Sequence, residues 1–132
     1  MTTQATTISV TIERPADEVY EFVRDATTFP QYTTLFKAVR PAGPDEWIAD
    51  TDQGEMPLRF APQNSFRVLD HHVQLRPDVE VLNHMRVLPN ADGAEVLFTV
   101  FQRPGMSDAE FAEDWQAVQT DLQKLKSVLE KG

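Results

Sequence analysis

Apolar and polar residues alternate along residues 7–13. Ile8, Val10 and Ile12 fall on one side and Thr7, Ser9, Thr11 and Glu13 on the other. A period of two predicts a half-buried strand. Pro15 suits the first turn of a helix, and PADEVYEFVRD continues with acids first and Val19, Phe22 and Val23 at helical spacing. TTFPQYTTLF reads as a second short helix, restarted around Pro30.

From Lys37 short apolar runs alternate with turn residues. Strands are expected at about 37–41, 46–52, 55–61, 66–74, 79–88 and 94–102, an antiparallel meander. Ser107 followed by Glu110 is a capping box. Phe111, Trp115, Val118, Leu122, Leu125 and Leu129 then form one apolar stripe on a helix reaching about residue 130. Acids crowd its start and lysines its end, which complements the helix dipole. The order predicts an α+β domain over residues 1–132: a seven-stranded curved antiparallel sheet, two short helices and a long C-terminal helix. The gap beneath that helix becomes either packed core or a ligand cavity.

Residues 69–73, LDHHV, place two of three histidines side by side. Strand neighbours point to opposite faces, so His71 and His72 cannot both enter a cavity. A four-residue loop, 90–93, pairs Met85 with Phe98 and Val87 with Val96, and puts Val81 and Asn83 inside with them. A five-residue loop, 74–78, turns Leu69, His71 and Val73 inward with His71 opposite Val81. A four-residue loop instead turns Val68, Asp70 and His72 inward. Burying Asp70 unpartnered is costly, so His71 is favoured.

The chain has no cysteine, which removes disulfides, thiolate catalysis and the usual structural zinc sites. No apolar run is long enough to span a bilayer, and the N-terminus lacks signal-peptide character, so a cytoplasmic protein is expected. A net charge of −9 disfavours nucleic acid. With His72 and His84 facing outward, too few ligands remain for a metal. Five glycines allow no dinucleotide fingerprint, and no G-x-S-x-G elbow occurs. No cofactor is expected.

The phrases ERPADEVYEFVRDATTFPQY, FRVLDHHV, MRVLPNADGAEVLFTVFQRPGMSDAEF and DLQKLKSVLE span nearly the whole chain. They resemble the SRPBCC superfamily, the START or Bet v 1-like helix-grip fold, and within it the bacterial polyketide cyclase/dehydratase-like branch. The resemblance implies a deep apolar cavity beneath the C-terminal helix, but no single reaction. The family pattern carries tryptophan near position 32, where this chain has Tyr32.

Candidate ligand-binding residues are Tyr32, Phe36, Trp47, Met56, Phe60, His71, Asn83, Met85, Phe98, Phe111 and Trp115. His71 is also the candidate catalytic group, a general base in one reading and a ligand-orienting pocket histidine in the other. The expected function is binding of a small hydrophobic molecule by a monomer or homodimer. The alternatives are a cyclase, aromatase or dehydratase with His71 shuttling a proton, and a protein-interaction module.

Overall fold

The structure is a computed structural model that describes residues 1–131. The predicted alternation is realised in β1, Ala5–Ile12, whose Ile8, Val10 and Ile12 are buried while their neighbours face outward. α1, Ala16–Arg24, follows Pro15 and buries Ala16, Val19, Tyr20 and Val23. The second helix is shorter than expected. It is a 3-10 helix, Ala26–Gln31, with Pro30 inside it. Asp25 Oδ1 caps its start by accepting from the Thr27 amide at 3.1 Å. The Thr28 and Thr33 hydroxyls donate to the Asp25 and Phe29 carbonyls at 2.8 and 2.9 Å. Such side-chain bonds compete with a regular helix, and proline has no amide to continue one.

Six strands follow: β2 Ala38–Gly43, β3 Glu46–Thr51, β4 Gly54–Phe60, β5 His71–Arg76, β6 Val79–Asn90 and β7 Gly93–Phe101. With β1 they form one sheet in the order β1-β7-β6-β5-β4-β3-β2, every pair antiparallel. Met85 opposes Phe98 and Val87 opposes Val96, as the alternation predicts. That ladder continues into a turn tighter than the predicted loop, Asn90 pairing with Gly93 across Ala91 and Asp92.

The β5–β6 hairpin departs from expectation in two ways. His71 opposes Asn83, and Val73 takes the place opposite Val81. A two-residue turn, Pro77 and Asp78, replaces the five-residue loop, and a bulge leaves Leu75 unpaired; together they move the partner of His71 by two residues and so keep it on the inner face. The strand also starts at His71 rather than near residue 66. Asn64 explains the late start. Its Oδ1 accepts from the Phe66 and Val68 amides, and its Nδ2 donates to the Pro62 and Val68 carbonyls. Arg67 adopts a φ of 58° to complete that loop.

α2, Asp108–Lys131, crosses the inner face and buries Phe111, Leu122, Leu125 and Leu129. Each buried side chain of this kind contributes about 1.5–3 kcal/mol. The capping box is reciprocal: the Glu110 amide donates to Ser107 Oγ at 3.0 Å, and the Ser107 amide to Glu110 Oε1 at 2.9 Å. At the far end Lys126 Nζ donates to the Thr11 carbonyl at 2.7 Å, and Arg14 Nε to the Leu129 carbonyl at 3.0 Å. α2 is thus tied down at both ends, with its middle over the sheet.

Candidate functional site

Beneath the middle of α2 lies a cavity of about 240 Å³. Its floor is the inner face of β5, β6 and β7, and its side is the chain from the 3-10 helix to Phe36. The alternation that builds the strands also chooses the floor. Phe60, His71 and Asn83 stand in one row across β4, β5 and β6, beside the row of Ile8, Phe98 and Met85.

His71 is 4% exposed and boxed by aromatic rings. Phe60 stacks on it at 4.7 Å between centroids, and Phe29 and Phe98 each present an edge-type contact at 6.1 Å. Its Nδ1 lies 2.9 Å from the Leu69 carbonyl, an acceptor only, so Nδ1 carries the hydrogen and donates. Nε2 is then a lone pair, and Asn83 Nδ2 donates to it over a long 3.4 Å. On the outer side of the ladder Asp70 Oδ1 accepts from the Met85 amide at 3.0 Å. Burial lowers the His71 pKa to about 4, against the upward pull of the Leu69 bond, so the ring is neutral at pH 7.

The cavity carries a second group of polar atoms. Tyr32 is 4% exposed and packed against Phe22 and Phe29, with the Thr28 side chain as the polar neighbour of its hydroxyl. Burial keeps this phenol protonated far above its ordinary range, and the charge of Asp121 acts in the same sense. Asp121 Oδ1 is also buried. Burial raises this carboxyl to about 6, with the Thr34 amide and Lys124 pulling it back. Arg103 and Asp114 also line the cavity, their Nη1 and Oδ2 atoms 3.8 Å apart.

Of the expected ligand-binding residues, Tyr32, Phe36, His71, Asn83, Met85 and Phe98 line this cavity. Trp47, Met56, Phe60, Phe111 and Trp115 do not. Met56 is 2% exposed in the core, and Phe60 fills the space behind His71 with Trp47 edge-on to it at 5.5 Å. Phe111 is buried near the anchored start of α2, and Trp115 packs against the core half-buried. The helix positions that reach the cavity are Asp114, Ala117, Val118, Asp121 and Leu122, a face rotated from the Phe111–Trp115 side of the stripe. Asp114 and Asp121 were missed in the sequence because an acid beside an apolar stripe reads as solvent-facing. Their spacing of seven, flanking Val118, was the only available signal.

His72 points to the opposite face, its Nδ1 2.6 Å from Glu80 Oε1. His84 is likewise outside, 3.1 Å from Asp70 Oδ2. Among the described residues no group of three His, Asp or Glu stands close enough to hold a metal ion, and no helix is long and apolar enough to cross a membrane.

Neither a family model nor a curated protein matches the sequence. Solved structures do match in shape. A START superfamily protein from Mycobacterium smegmatis aligns at a TM-score of 0.79 with 11% identity, over 96% of this chain and 97% of that one. The protein XoxI from Bacillus cereus aligns at 0.75 with 14% identity, over 94% of each chain. The Zhui aromatase/cyclase from Streptomyces sp. R1128 aligns at 0.73 with 17% identity, over 97% of this chain and 94% of that one. Taken with the sheet order and the long closing helix, these likenesses show that the chain has the helix-grip α+β fold of those structures.

Proposed function

We propose that the chain binds a small hydrophobic molecule, aromatic or polyketide-like, beneath α2. The observation that carries this reading is the cavity of about 240 Å³, whose surface is mostly apolar with polar groups at discrete places on it. A closed apolar cavity of about 150 Å³ already accommodates benzene. Apolar walls supply affinity, and a ligand donor that displaces the long Asn83 bond would be oriented by His71 Nε2. Native mass spectrometry after incubation with naphthalene-scale aromatics, or titration with the neutral dye Nile red, tests it. Saturable uptake with one molecule per chain is expected. The absence of any saturable uptake would overturn the reading.

One observation favours a second reading, an enzyme that closes or dehydrates a poly-β-ketone. His71 holds a defined tautomer with its basic nitrogen directed at Asn83, beside the cavity, in a fold shared with an aromatase/cyclase. There His71 would take a proton during aldol closure. An unchanged rate in His71→Ala would rule the histidine out as catalyst.

A further inference from the structure

His71 and Asn83 oppose each other across β5 and β6, and one hydrogen bond joins their side chains. The far side of the ring fixes its direction. Nδ1 carries the hydrogen because it faces the Leu69 carbonyl, so Nε2 is a lone pair that only an N–H can meet. The atom of Asn83 turned toward His71 is therefore Nδ2, at 3.4 Å, and Oδ1 stands on the other side of the amide. This is the one side-chain hydrogen bond that Asn83 makes among the described residues. Its acceptor Oδ1 and the second hydrogen on Nδ2 are left over. Asn83 is half-buried and lines the cavity, with Val81 and Met85 from the same face of β6 as its apolar neighbours there. Resting on the binding reading above, we infer that Asn83 is the residue that reads the ligand, with His71 as the positioning residue behind it. The group it reads is a donor and an acceptor side by side on the edge of a neutral planar molecule, as in a lactam.

The chemistry of the pair selects that edge. A lactam N–H donates to Oδ1 while its carbonyl accepts from Nδ2, so neither side enters the cavity unpaired. Engaging the free edge of the amide breaks no bond of the folded chain. A ligand donor aimed at Nε2 has first to displace Asn83, which leaves an amide hydrogen without its acceptor. A lone carbonyl leaves Oδ1 unmet. A carboxylate repels Oδ1 and meets Asp114 and Asp121 in the same wall, with Arg103 as the only cation among the lining residues.

The test is displacement of Nile red from the full-length protein at pH 7.5, where the imidazole is neutral. The competitors are 2-quinolone, N-methyl-2-quinolone, which lacks the donor, and naphthalene as the apolar control. Wild-type protein is expected to prefer 2-quinolone over its N-methyl form by roughly tenfold. Asn83→Leu should collapse that ratio to within about twofold of unity while naphthalene binds as before. Asn83→Ser carries the same expectation if the leucine variant does not fold. His71→Leu should lower the ratio to about threefold with naphthalene affinity kept, a selective loss that damage to the cavity as a whole would not produce. Naphthalene binding with a wild-type ratio near unity, or a ratio unchanged in the Asn83 variants, overturns this inference and leaves the binding reading intact. So does tighter binding of 2-quinolone to Asn83→Leu, which would put the ligand donor on His71 Nε2. A ratio unchanged in His71→Leu overturns the positioning of Asn83 by His71. No displaceable uptake of Nile red or naphthalene overturns both readings.

Discussion

His71 shows how a single side chain ties stability to pH. Its ordinary pKa of 6.5 falls to about 4 in the folded chain, because burial disfavours the charged ring. The unfolded chain therefore binds the proton more readily. Stability from this group is complete above about pH 6.5 and is lost as pH falls toward 4, by up to about 3 kcal/mol. Asp121 works in the opposite sense. Its folded pKa is raised from 3.8 to about 6, so its ionisation weakens the fold as pH rises through that window. His71→Leu should flatten the acid limb of a urea-midpoint profile between pH 7 and 4, and Asp121→Asn should raise the midpoint above pH 6. A steeper acid limb in the histidine variant would contradict the assignment. Phe60→Ala should cost about 3–5 kcal/mol in equilibrium unfolding, since it removes the ring stacked on His71. The burial of His71 was legible in the sequence because Asp70 beside it needed the polar side. The place of Asp121 in the cavity wall was not, because it depends on what the folded chain brings near.

Among the elements, the β6–β7 hairpin and α2 were the most legible, for separate reasons. In the hairpin, apolar residues alternate on both strands, so only one parity buries Met85, Val87, Val96 and Phe98 together. In α2 the Ser107–Glu110 box marks the start unambiguously. Ser107→Ala should lower stability by about 1 kcal/mol in thermal or urea unfolding, as the loss of a helix cap does. The β5–β6 pairing was less legible. The bulge at Leu75 sits in QLRPD, where no glycine announces it. Parity survived the bulge and the cross-strand partner did not. Gly93, beside the tight β6–β7 turn, has a role invisible in sequence. A Cβ there would stand 2.8 Å from the Ile12 carbonyl, a backbone atom with little room to move. Gly93→Ala should therefore destabilise by about 1–3 kcal/mol in equilibrium unfolding, by forcing β1 and β7 apart at that end.

At the scale of the whole molecule, α2 behaves as a beam fixed at its two ends. Ser107 and Asp108 hold one end, the latter accepting from Gln4 and Gln102, while Lys126 and Glu130 hold the other against β1. The unsupported middle is where the cavity opens. Ala117 is exposed there at its rim. Ala117→Trp should block dye uptake while leaving the melting temperature within about 2 °C, because a surface substitution adds no core strain. The two faces of the sheet also communicate through Asp70. Its carboxylate on the outer skin accepts from the Met85 amide, while the carbonyl just before it in the chain accepts from the His71 imidazole inside. On the binding reading, a residue on the outside would thus help to set which imidazole nitrogen faces the cavity. Asp70→Ala should free the Met85 amide to compete for the Leu69 carbonyl and so loosen the hold on the ring tautomer of His71, visible as a changed pair of imidazole nitrogen-15 shifts. Recognition inside this protein would then be tunable by substitutions on its outside, without altering a single lining side chain.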